Sequence, residues 1–241
     1  MVYRLLQYAK TAFQSVKMDS FFAMMIYKWE IETDISKRGM PKMGRNKGES
    51  RKMGQKLSEM SLGELWQLFP IILSEPKAYW KEWYIEEEAK LKEVLPPDQV
   101  VRISHIGSTA IEGIWAKPII DILAEVTKDS DLQSFKEYLT SAGYLCMSEN
   151  SRRLSFNKGY TEKGSAEKVF HLHLRREGDN DELYFRDYLN QFSDTAKEYE
   201  KLKLGLWKQY EHNRDSYTDA KTDFVKKYTL IAKDIAVFQT M

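Results

Sequence analysis

The sequence predicts an α/β domain of the α+β kind across residues 57–241: a small mixed β-sheet flanked by helices, followed by a helical C-terminal third. Three observations predict it. Pro118–Val126 is a near-continuous apolar run, interrupted by Asp121 and Glu125, as expected of a central strand buried on both faces. Val100–Ile106 and Lys168–Arg175 alternate apolar and polar residues with the period of a strand. From Asp181 onward the apolar spacing is helical to the end of the chain.

In chain order, Leu5, Leu6, Ala9, Phe13 and Val16 recur at roughly helical spacing, so residues 2–35 read as one or two amphipathic helices. Residues 36–56 hold eight Lys or Arg, one acid (Glu49) and four glycines, a composition that cannot bury a core and reads as a linker or tail. Residues 1–56 therefore form an N-terminal extension, with a basic arm for an anionic surface or a partner as its functional reading. Ser61-Leu62-Gly63-Glu64 has capping-box spacing and opens a short helix that ends near Pro70. A second helix runs from about Pro76 to Leu95, with Pro in its first turn and Pro96-Pro97 as its stop. Trp66, Trp80 and Trp83, at helical spacing, read as core rather than as a base-stacking platform.

Val100–Ile106 is then a strand ended by Gly107, and Pro118–Val126 is the central strand. Leu132–Ala142 is an amphipathic helix capped by Gly143. Tyr144–Ser148 and Arg153–Asn157 are neighbouring strands, and Lys168–Arg175 is a third. Helices follow at about 181–191, 194–211 and 217–237, with Asp215-Ser216-Tyr217 as the start of the last.

Charge and composition exclude several functions. Residues 1–56 carry 12 Lys+Arg against 5 Asp+Glu, whereas residues 57–241 carry 25 against 31, a net of −6. A mildly acidic domain is a poor general nucleic-acid binder, because phosphate contacts need clustered Lys and Arg. The single cysteine, Cys146, rules out an intrachain disulfide and fits a reducing compartment, with its thiol in the core. No segment approaches the ~18 apolar residues of a membrane span, and no signal peptide is evident, so the expected location is cytoplasmic.

Three clusters can carry chemistry. In Ser104-His105-Ile106-Gly107-Ser108-Thr109-Ala110, a strand ends in a turn that exposes amides and hydroxyls where the chain heads towards a helix, a place able to hold phosphate. In Pro118–Val126, strand periodicity puts Asp121, Leu123 and Glu125 on one face. Asp121 is costly inside an apolar strand unless it is paired, hydrogen-bonded or bound to a metal. Glu125 lies near the strand's end, where solvent exposure suffices to explain it. In Phe170–Arg175, His171, His173 and Arg175 share one face, and two imidazoles about 7 Å apart can chelate a metal or touch a phosphate.

Together with Ala116-Lys117-Pro118-Ile119-Ile120-Asp121-Ile122, Phe185-Arg186-Asp187-Tyr188-Leu189 and Tyr217-Thr218-Asp219-Ala220-Lys221, these motifs resemble the GrpB family of nucleotidyltransferase-fold proteins over most of residues 57–241. The resemblance implies a Gly-Ser turn at Gly107-Ser108-Thr109 for the phosphates, and Asp121 as the catalytic carboxylate holding Mg²⁺ or Mn²⁺. Lys117 and Arg186 are the cations expected to meet the phosphates, with Lys221 similar. It also implies a nucleoside triphosphate or other phosphorylated small molecule as ligand, and transfer of a nucleotidyl group to an acceptor. The superfamily's second carboxylate falls at Leu123, which cannot bind a cation. Glu125 lies roughly 13 Å along the strand from Asp121, too far for the same ion. Either His171 and His173 complete the metal site, or the protein is a nucleotide- or phospholigand-binding module without turnover.

Overall fold

The computed structural model describes residue 57 and residues 60–239; the N-terminal helices, basic linker and extension expected over residues 1–56 lie outside the described residues. Helix α1 (Leu62–Leu68) opens on the predicted capping box: the Ser61 hydroxyl accepts from the Glu64 amide at 3.4 Å, and the Glu64 carboxylate accepts from the Ser61 amide at 2.6 Å. Helix α2 (Tyr79–Val94) follows, and then strand β1 (Val100–Ile106), a 3₁₀ turn (Ser108–Ala110) and strand β2 (Ile120–Val126). After a second 3₁₀ turn come α3 (Phe135–Ser141), β3 (Leu145–Glu149), β4 (Arg153–Thr161) and β5 (Gly164–Arg176). Four helices complete the chain: α4 (Asp181–Gln191), α5 (Ser193–Tyr210), α6 (Arg214–Asp219) and α7 (Thr222–Gln239). The α+β class expected from the sequence is the class observed.

The five strands form one mixed sheet in the order β1-β2-β5-β4-β3. Only the β2–β5 pair is parallel, and α3, β3 and β4 lie within its crossover. Odd and even residues of β2 therefore face different layers. Ile120, Ile122, Ala124 and Val126 join Leu172, Leu174, Leu154 and Phe156 in the main core, beneath Trp80 and Leu91 of α2 and Phe135 and Leu139 of α3. On the opposite face Leu123 packs with Ile106 and with Leu183 of α4. Phe185 and Leu189 of α4 and Ala196 and Tyr199 of α5 extend that second layer, with Phe224 of α7 packed against it.

Two expectations are corrected. The single helix predicted at 217–237 is two: Asn213 caps α6 by accepting from the Ser216 amide at 3.0 Å, and the chain breaks at Ala220-Lys221 before α7. The β4–β5 hairpin is longer than its apolar pattern suggested. Gly159, with φ +95°, sits at a register shift where a Cβ would lie 2.3 Å from the Lys168 carbonyl oxygen; the strand bends there and continues instead of stopping.

Candidate phosphate-binding site

The site forms where β1 ends beside β2. Ile106 pairs with Asp121, so Gly107 comes down directly on the Asp121 side chain. Gly107 has φ +71° and ψ −171°, a conformation essentially restricted to glycine, and a Cβ on it would lie 2.2 Å from Asp121 Oδ2. Both the backbone turn and the close approach therefore need glycine at 107. The chain leaves through a single 3₁₀ turn rather than the helix expected, so no long helix dipole contributes to this site. What remains is local. The Thr109 hydroxyl donates to the Ile119 carbonyl at 2.9 Å and lies 3.0 Å from His105 Nε2, pinning the turn to the start of β2.

The parallel β2–β5 register sets Asp121 opposite His171, Leu123 opposite His173 and Glu125 opposite Arg175. The polar face expected of His171, His173 and Arg175 is thus the same face as Asp121. His171 Nδ1 is 3.3 Å from Asp121 Oδ1, while His171 Nε2 is 2.8 Å from the Tyr160 hydroxyl of β4. Arg214 of α6, itself buried, donates to that hydroxyl at 3.4 Å, completing a chain from Asp121 to the helical layer.

Of these groups, Asp121, His171 and His173 border a cavity of about 230 Å³. Gly107, Ser108 and Thr109 form one wall, and Asp121, His171 and His173 the sheet side. Lys117, Tyr199 and Lys203 of α5, Tyr217 of α6 and Lys221 close the rest. Its lining thus holds three lysines and one carboxylate. Lys117 and Lys221 lie 5.6 and 4.3 Å from the centroid of the Tyr217 ring. Tyr199, hydrogen-bonded to Ser108, is pushed up to about 12 by burial and stays protonated. Burial works to raise the Asp121 carboxyl, but His171, through hydrogen bond and charge, with His173 and Lys117, outweighs it. Asp121 is held below the ordinary carboxylate range. His173 is lowered to about 4, first by burial and then by Arg175, and is neutral at pH 7.

Not every residue singled out in the sequence lies here. Arg186 lines a separate cleft of about 650 Å³ beyond Thr109, donating to the His105 carbonyl at 2.7 Å and to Asp187 Oδ1 at 2.7 Å. Glu125 is not exposed, as its place near the strand's end suggested. It is 1% exposed, accepting from Arg102 Nε at 2.7 Å and Asn180 Nδ2 at 2.9 Å. Sequence reasoning missed Tyr160, Tyr199 and Lys203. The one available signal was Lys203, a lysine at a core-facing position of an amphipathic helix.

The residues fit a divalent cation in one way only. Leu123 is wholly buried, and both His171 nitrogens are engaged. Among the described residues no group of three or more His, Cys, Asp or Glu is placed to hold a metal ion. A protein cage does not fit, whereas an ion that keeps its waters and phosphate ligands needs only one or two carboxylates, and Asp121 supplies one.

A family model described as GrpB protein matches residues 70–230, which contain every motif above. The chain belongs to the GrpB family. Glutamate-rich protein GrpB of Alkalihalophilus pseudofirmus is 39% identical over 161 residues, covering 64% of this chain and 91% of that protein. UPF0157 protein YqkA of Bacillus subtilis is 35% identical over 191 residues, which are 76% of this chain but 53% of YqkA, so the chain spans about half the length of that relative. The solved structure of conserved protein GrpB from Enterococcus faecalis superposes with a TM-score of 0.59 at 29% identity, covering 67% of this chain and 96% of that one. A more remote likeness runs to the Cid1 poly(U) polymerase, at 14% identity and a TM-score of 0.39. Among the described residues no helix is long and apolar enough to cross a membrane.

Proposed function

We propose that this GrpB-family chain binds the phosphate groups of a nucleoside triphosphate or another phosphorylated small molecule, together with Mg²⁺ or Mn²⁺ at Asp121. The observation that carries this reading is the placing of one ionised carboxylate opposite Lys117 and Lys221, across a cavity walled by Gly107, Ser108 and Thr109. Lysines neutralise phosphate oxygens, and a lone carboxylate among them attracts the cation that a polyphosphate carries. At about 230 Å³ the cavity is smaller than the ~300–1,000 Å³ of sites that enclose a drug-sized ligand. It takes the phosphates and leaves the rest of the molecule outside.

Nucleotidyl transfer is the second reading, favoured by the orientation of Asp121 through His171 and Tyr160. An acceptor oxygen would bond to the α-phosphorus while the bond to the pyrophosphate leaving group breaks, the acceptor's proton passing to water. The bound cation would stabilise charge on the phosphates. The chain's own part is to hold them: Lys117 and the Gly107–Thr109 turn as donors, and Asp121 fixed by His171.

Calorimetric titration of each Mg²⁺–NTP and of inorganic tripolyphosphate into wild type and Asp121→Asn tests the binding. Affinity in the wild type that falls at least tenfold in Asp121→Asn with Mg²⁺ present supports it. Absence of binding to every probe refutes it. Incubation with α-labelled NTPs and a cell extract then separates the readings, since label moving to an acceptor marks transfer and binding without movement leaves the module alone.

A further inference from the structure

Lys203 lines the cavity but is only 2% exposed. Its Nζ donates to the Trp115 carbonyl and lies 4.9 Å from the centroid of the Tyr199 ring. Among the described residues no carboxylate stands within ion-pair distance of it. Glu200, on the same helix, instead accepts from the Trp115 amide at 2.7 Å and from Lys197 at 3.0 Å. The other titratable groups that border the cavity are Lys221 beyond α6, Lys117 before β2, Tyr199 of α5, Tyr217 of α6, and Asp121, His171 and His173 on the sheet. Two of these are further cations. A buried ammonium with no counter-charge is unfavourable, and the usual relief is loss of its proton.

We propose that Lys203 is the anion-sensing ligand of this site: neutral in the ligand-free protein, it takes up a proton when a polyanionic phosphate group enters. The ligand then supplies the counter-charge that the fold lacks, and the site selects for ligands of at least two negative charges. The inference rests on the phosphate-binding reading above. Burial, with Lys221 and Lys117 beside it and Glu200 acting against them, lowers Lys203 from 10.5 to about 7, which puts the change of charge within reach of neutral pH.

The test uses the full chain with ¹³C-labelled lysine and sulfate as probe, because sulfate does not itself titrate near neutral pH. The Lys203 side-chain resonance is followed by NMR against pH, with and without saturating sulfate, and the sulfate Kd is measured at each pH. The expected result is a Lys203 midpoint near neutral that rises by at least two pH units with sulfate. The Kd should weaken by roughly tenfold per pH unit between pH 7.5 and 9, as linkage to one proton requires. Lys203→Arg, whose charge is fixed, should lose that slope. Should the variant fail to fold, the wild-type resonance decides. Sulfate binding with a pH-independent Kd and an unmoved Lys203 midpoint overturns the role of Lys203 while leaving the phosphate site standing. No binding of sulfate or tripolyphosphate at any pH overturns both.

Discussion

Replacing Gly107 with alanine tests the core of the site. Two costs can be worked from the structure. The backbone at φ +71° and ψ −171° is nearly closed to a residue with a Cβ, a strain of about 1–3 kcal/mol. The new methyl would lie 2.2 Å from Asp121 Oδ2, 2.8 Å from its Cγ and 2.9 Å from its Cβ, so Asp121 must move by about an ångström or more to restore contact distance. Overpacking of this kind costs about 1–3 kcal/mol. Asp121 cannot swing away freely, because β1–β2 pairing holds its backbone and His171 holds its carboxylate. The expected total is about 2–6 kcal/mol, a large share of the ~5–15 kcal/mol that stabilises a domain. Urea unfolding followed by tryptophan fluorescence measures it, with a midpoint lowered by roughly 1–3 M at a slope of about 2 kcal/mol/M. In Gly107→Ala/Asp121→Ala the two closest atoms are gone, so the double variant should recover about 1–3 kcal/mol relative to additivity. A single variant within about 0.5 kcal/mol of wild type, or an additive cycle, would refute the close-packing argument.

Glu125→Gln should lower stability by about 1–3 kcal/mol, the half-exposed Arg102 partner tempering the loss, and leave tripolyphosphate affinity unchanged in the same titration. His105 is lowered from 6.5 to about 4, by burial foremost and by Arg186, with Asp121 opposing. The folded state therefore binds fewer protons than the unfolded state between pH 4 and 6.5, and stability falls as pH drops through that window. His105→Gln should remove up to about 3 kcal/mol of this dependence, read as the difference between the two proteins' pH–stability curves. Lys117→Met should weaken tripolyphosphate binding about tenfold or more, whereas Arg186→Met, in the neighbouring cleft, should change it less than about threefold.

How much of this was legible in the sequence depends on the range of the interaction concerned. The capping box at Ser61 and Glu64, the β1 limits and α4 were readable because they follow from a few neighbouring residues. So was the shared face of His171, His173 and Arg175, because strand alternation is local. Its alignment with Asp121 was suggested only by the family resemblance, since it depends on a parallel register between strands about fifty residues apart in the chain. Glu125 was misread for the same reason. Its burial is created by Arg102 on β1 and Asn180 before α4, neither of which is a sequence neighbour. Tyr199 and Lys203 reach the cavity, and Tyr160 reaches His171, only once the helical layer and the hairpin fold over the sheet.

Leu123 is where the chain departs from the two-carboxylate pattern, and its surroundings show why an acid could not simply be restored there. Its side chain is wholly buried against Ile106 and Leu183, at the seam that joins α4 to the polar face of the sheet. Asp121, one strand repeat earlier, instead has its side chain 27% exposed at the cavity. Two residues along a strand span roughly 6.6 Å, which here is enough to pass from cavity to core. Leu123→Asp would put a carboxylate under α4 against Ile106 and Leu183, with His173 opposite it on β5, where burial of the charge costs several kcal/mol or is relieved by protonation. The expected result is a loss of about 3 kcal/mol or more in urea unfolding, with no gain in Mn²⁺ affinity by paramagnetic relaxation in the presence of tripolyphosphate. A variant that kept its stability and bound Mn²⁺ more tightly would show that α4 yields and that the second carboxylate position is still open.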